Sequence, residues 1–79
     1  MNEGEIYSRL TTLFQDVFDD DSIVVTPQMT AKDVDGWDSL TNIRLLLTIE
    51  KSFKVKFSTQ EIGKLENVGG LVKLIQART

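Results

Sequence analysis

With neither cysteine nor histidine among its 79 residues, this chain has no staple available to it. It can form no disulfide and no Cys/His zinc site, so an apolar core alone must hold the fold. A domain of this size buries only about 60% of its unfolded surface, so that core is modest. One domain spanning residues 1–79 is expected, with no room for a second. The same two absences remove thiolate nucleophiles and any Ser–His–Asp relay, and no metal site is expected. What remains is carboxylate, hydroxyl or lysine chemistry, or none.

The apolar pattern is helical. Ile6, Leu10, Leu13, Phe14 and Val17 trace one face of a helix over Glu3 to Phe18, which Asp19-Asp20-Asp21 then ends. Asp38 is a good N-cap for a strong helix reaching Phe53, with Gly36 supplying the turn before it. Ser58-Thr59-Gln60-Glu61 has capping-box spacing and opens a short helix to about Leu65. Asn67 caps a last helix that buries Val68, Leu71, Val72 and Ile75, although Gly69 and Gly70 weaken its first turn. The β-branched run Ile23 to Thr26 has a single candidate strand partner, Lys54 to Phe57. Two such strands make a marginal sheet, so both read as extended loop. Val25, Met29 and Val34 are placed to anchor the long connection to the helices. The expected fold is all-α: four helices, a long first loop and a short third helix.

Net charge is −3, but it is unevenly spread. Residues 1–39 hold nine acids and two bases (−7), and residues 40–79 hold three acids and seven bases (+4). The acidic half argues against nucleic-acid binding, because Lys51, Lys54 and Lys56 have no aromatic groove beside them. The longest apolar run is three residues, too short to span a membrane, and MNEGEIYSRL lacks the basic and apolar segments of a signal peptide. A monomer in the cytoplasm is the expectation. Asp19 to Asp21 lack the glycine and closing glutamate of a calcium loop, and counting twelve from Asp33 reaches Arg44, so these acids read as solvated.

The helix from Asp38 to Phe53 carries more apolar surface than one buried face needs. Leu45, Leu46, Ile49 and Phe53 form a core stripe, and Leu40, Ile43 and Leu47 form a second cluster further round the wheel. Either another helix covers that cluster, or it is an exposed docking strip flanked by Arg44 and Lys51. Ser39, at the head of the helix, reads as ordinary helix-start chemistry or as a hydroxyl that another enzyme modifies. It has no histidine to activate it. A phosphate there would meet free backbone N–H groups at the positive helix end, opposed by Asp35 and Asp38. Trp37 reads as loop packing or as a neighbour of whatever Ser39 carries. The phenylalanines 14, 18, 53 and 57 read as core, or in part as the lining of a cleft.

Gly36-Trp37-Asp38-Ser39-Leu40 ahead of an apolar helix resembles the Asp-Ser-Leu attachment motif of acyl carrier proteins. Phe53 to Phe57, Glu61-Ile62 and Asn67 to Val72 fall where that family has its later loop and helices, so the resemblance covers essentially the whole chain. It implies a protein that catalyses nothing itself. A phosphopantetheinyl transferase would move 4′-phosphopantetheine from coenzyme A onto Ser39, with Asp38 and Leu40 helping it recognise the site. The arm's thiol would carry an acyl group as a thioester between acyl-loading and acyl-transferring enzymes. Leu40, Ile43, Arg44, Leu47 and Lys51 would form the partner face. The chain departs from fatty-acid carriers in having Arg44 and Lys51 on this helix, with Glu50 its one acid after Asp38. That points to a specialised carrier for polyketide, lipid or other acylation. D-alanyl or peptidyl carriers of the same superfamily, and an unmodified helical adaptor, are the alternatives.

Overall fold

A computed structural model describes residues 2–79. Four helices follow in order: α1 (Glu3–Phe18), α2 (Ser39–Phe53), α3 (Thr59–Gly63) and α4 (Val68–Arg78), with a single 3-10 turn at Ala31–Asp33. There is no strand among the described residues. The all-α fold with a long first loop and a short third helix matches the sequence expectation.

The helix boundaries follow from local chemistry. Asn2, Asp38, Ser58 and Asn67 each stand in extended backbone at an N-cap, and each side chain accepts a first-turn N–H. At α3 the arrangement is reciprocal: Ser58 takes the Glu61 N–H and Glu61 takes the Ser58 N–H. α1 and α2 both stop at a left-handed residue, Asp19 (φ 50°) and Lys54 (φ 57°), whose N–H folds back onto the last turn. α3 stops earlier than the expected Leu65. The N–H groups of Lys64 and Leu65 reach only three residues back, to Glu61 and Ile62, which tightens the exit and ends the helix at Gly63.

α1 packs against α2 and α4. Ile6, Leu10 and Phe14 from α1, Leu45 and Ile49 from α2 and Ile75 from α4 are fully buried. Leu46 and Phe53 complete the expected α2 stripe, and Val68, Leu71 and Val72 the α4 face.

The first loop is stitched down without a sheet. Ile23 and Val25 are buried and Val24 points out, an alternation that suits a strand. Side chains of α1 take the place of a strand partner: the Thr11 hydroxyl accepts the Val25 N–H, and the Gln15 amide donates to the carbonyls of Ile23 and Asp21. Val25 and Val34 are buried and Met29 packs against the core, as anchoring requires. The loop is also clipped to α4, where the Val68 N–H donates to Met29 O at 2.9 Å and the Gly69 N–H to Pro27 O at 3.0 Å. No helix among the described residues is long and apolar enough to cross a membrane.

Candidate functional site at the head of α2

The turn into α2 requires Gly36, whose φ of +87° lies in the left-handed region. From there the Asp38 N–H returns to Gly36 O, and the Asp38 carboxylate accepts the Thr41 N–H at 2.9 Å. That backbone hydrogen bond is the main reason the Asp38 carboxyl is held below the usual carboxylate range. Because Asp38 does the capping, Ser39 is left with no such duty. Its residue is exposed at the first position of α2, and its hydroxyl forms no hydrogen bond among the described residues.

Beside Ser39 opens a cleft of about 400 Å³. Leu45 and Leu46 of α2 line it, with Ile62 and Leu65 at α3 and Val68 and Leu71 of α4. Thr30, Asp38, Asn42, Glu66 and Asn67 add polar groups to the lining, together with the Trp37 indole. The first sequence reading of Trp37, packing against the helices, holds. Its ring meets Phe14 edge-on at 5.3 Å and Phe18 at 6.0 Å, and it also lines the cleft, donating its indole N–H to the Asn42 oxygen at 2.9 Å. None of the four phenylalanines lines the cleft; the packing turns them into the core or its margin instead. The aliphatic lining and Asn42 were not singled out as site residues from sequence. The apolar pair Ile62, in α3, and Leu65, just past its end, was the available signal.

On the outer side of α2, Leu40, Ile43 and Leu47 are 79%, 59% and 54% exposed, so no other helix covers the second apolar cluster. Arg44 and Lys51 are exposed beside it. Glu50 faces elsewhere: its carboxylate accepts the Phe57 N–H at 2.9 Å, engaged with the loop after α2. The motif residues Asp38, Ser39 and Leu40 therefore lie at the junction of an apolar outer face and an apolar cleft.

No family model matches the chain. An acyl carrier protein of Helicobacter pylori is 37% identical over 57 residues, which cover 71% of this chain and 72% of that protein. The chain belongs to the acyl carrier protein family. A solution structure of a holo acyl carrier protein from Geobacter metallireducens superposes with a TM-score of 0.85 at 45% identity, covering 90% of this chain and 82% of that one. The acyl carrier fold accounts for the four-helix order, the short α3 and the long first loop together.

Proposed function

We infer that this acyl carrier works by esterification of Ser39. The observation that carries the reading is the division of labour at the head of α2: Asp38 caps the helix, so the exposed Ser39 hydroxyl can be esterified without unmaking a cap. The group that fits there is 4′-phosphopantetheine. In the transfer, a phosphoester forms at Ser39 Oγ and the phosphoanhydride of coenzyme A breaks. Adenosine 3′,5′-bisphosphate leaves, and the serine proton passes to a base of the phosphopantetheinyl transferase. When bound, the arm supplies a thiol that holds acyl groups as thioesters. The chain contributes position: free N–H groups at the start of α2 face the phosphate, and the aliphatic cleft offers an acyl chain cover from water.

Asp38 and Leu40 flank the modified residue as recognition elements for the transferase. The exposed Leu40, Ile43 and Leu47 with Arg44 and Lys51 form the face that partner enzymes dock on, and their basic flank favours partners outside the general fatty-acid synthase. The protein acts as a monomeric cytoplasmic carrier and catalyses nothing itself.

Incubation with coenzyme A and a promiscuous phosphopantetheinyl transferase tests the reading by intact mass. Wild type gains one phosphopantetheine and Ser39→Ala gains none. A folded wild type that gains no mass would instead be an adaptor without an arm.

A further inference from the structure

Asn42 lies three residues after Ser39, so the two share a face of α2, and both line the cleft. The Asn42 side-chain oxygen accepts the Trp37 indole N–H at 2.9 Å. An indole nitrogen only donates, so this bond fixes which way the amide is turned: oxygen toward Trp37, NH2 away from it. Trp37 is in turn seated against Phe14 and Phe18, so the orientation is tied to the core. Nothing among the described residues accepts a hydrogen bond from Asn42 Nδ2. A directed donor without a protein acceptor thus stands in a cleft whose lining mixes aliphatic side chains with the polar Thr30, Asp38, Glu66 and Asn67.

We propose that Asn42 is a positioning residue for the loaded arm, its Nδ2–H donating to a carbonyl oxygen of the group that Ser39 carries. The proposal rests on Ser39 being the attachment point. The carbonyl has two sources of the same chemistry, the amides of the arm or the acyl group at its end. Either way, the hydrogen bond holds the load at the mouth of the cleft, and Trp37 sets the direction of the donor. Trp37→Phe keeps a ring against Phe14 but lets the amide rotate.

The test loads the full chain at Ser39 with the free-thiol arm, the octanoyl arm and the 3-oxooctanoyl arm, checking each by mass. The side-chain NH2 resonances of Asn42 are then followed by NMR, with those of Asn2 as control. Asn2 caps α1 and does not line the cleft, and both its oxygen (to the Glu5 N–H) and its NH2 (to the Glu5 carboxylate) are engaged. The Asn42 signals are expected to move on loading while those of Asn2 stay. A shift already present with the free thiol assigns the arm's amides as acceptor, and acyl release by hydroxylamine then stays at the wild-type rate in Asn42→Asp. A shift that needs an acyl group assigns the acyl carbonyls. In that case Asn42→Asp, which keeps the oxygen Trp37 requires but loses the donor, releases acyl about five-fold faster, the factor of one ordinary net hydrogen bond. Trp37→Phe should show a smaller shift than wild type in the same loaded form. Asn42 signals that stay still in all three loaded forms overturn the proposal, whether or not those of Asn67, the cleft's other amide without a protein acceptor, move; so does an equal acceleration by Asn2→Asp. A chain that gains no mass removes the carrier reading itself, whereas a loaded chain with unmoved Asn42 signals removes this inference alone.

Discussion

Arg78, in the last turn of α4, pairs with the carboxylate of Glu61 in α3, and the other oxygen of that carboxylate accepts the Ser58 N–H at 2.9 Å. One side chain therefore caps α3 and fastens it to α4. The Arg78 guanidinium also lies over the Phe57 ring, 6.0 Å from its centre. Since α3 and its exit supply Ile62 and Leu65 to the cleft, this fastening fixes the wall opposite α2.

The Arg78 hydrogen bond, then the Ser58 N–H, hold the Glu61 carboxyl below the usual glutamate range. A carboxyl lowered on folding stabilises the fold fully above its unfolded value, about 4.3, and that contribution is lost as pH falls through the lowered folded value. Acidification below about pH 4 should therefore loosen α3. Amide exchange at Glu61 and Ile62 would report it, and Glu61→Gln should remove this part of the acid response. Asp38, also lowered, loses its own contribution as pH falls through its lowered value, which would loosen the start of α2.

Gly69 and Gly70 should respond in opposite directions. A Cβ at Gly69 would stand 3.0 Å from Pro27 O, the atom that accepts the Gly69 N–H, so Gly69→Ala must push the loop clip apart. The cost expected from such overpacking is about 1–3 kcal/mol. At Gly70 the nearest atoms are 3.7 Å away, and Gly70→Ala should stabilise α4 by up to about 1 kcal/mol through helix propensity. Urea midpoints of the two variants measure both signs.

Phe14 is fully buried and touches both Phe18 and Trp37. Phe14→Ala should cost about 3–5 kcal/mol. Against a total of roughly 4–12 kcal/mol for a chain this short, that removes about a quarter of the stability or more. Trp37 emission should shift to longer wavelength as the ring that seats it is removed, and thermal melting would give the size of the loss.

The outer face of α2 should separate binding from stability. Leu47→Ala and Arg44→Glu alter exposed side chains, so melting should stay within about 0.5 kcal/mol of wild type. If this face docks partners, kcat/KM for arm attachment or for a cognate acyl enzyme should fall by about ten-fold in Leu47→Ala. Arg44→Glu should chiefly slow association, and more so at low salt. Wild-type rates in both variants would move the docking surface elsewhere.

How far these features could be read before the structure depended on how local their causes are. Asp38, Ser58 and Asn67 announce helix starts because a cap is decided within four residues, and all three do cap. The fate of Leu40, Ile43 and Leu47 was undecidable on a helical wheel, because it turns on where α3 and α4 come to rest. α3, only five residues long, lies on the cleft side by Leu46 and leaves them bare. The β-branched run Ile23 to Thr26 looked strand-like for a sound reason, since its side chains do alternate between buried and exposed. Thr11 and Gln15 supply its partners from α1, a tertiary arrangement no short window contains. Asn42 escaped notice for the same reason: its meaning depends on the Trp37 indole.

The clip from Pro27 and Met29 to Val68 and Gly69 also bears on the order of events when the chain folds. It joins the first connection to the last helix, so closing it spans about half of the chain, and that entropy is recovered only after α1 and α4 have met. Contacts of that kind are expected to form late, so weakening the clip should speed unfolding more than it slows folding, and the two rate constants of Gly69→Ala would show it.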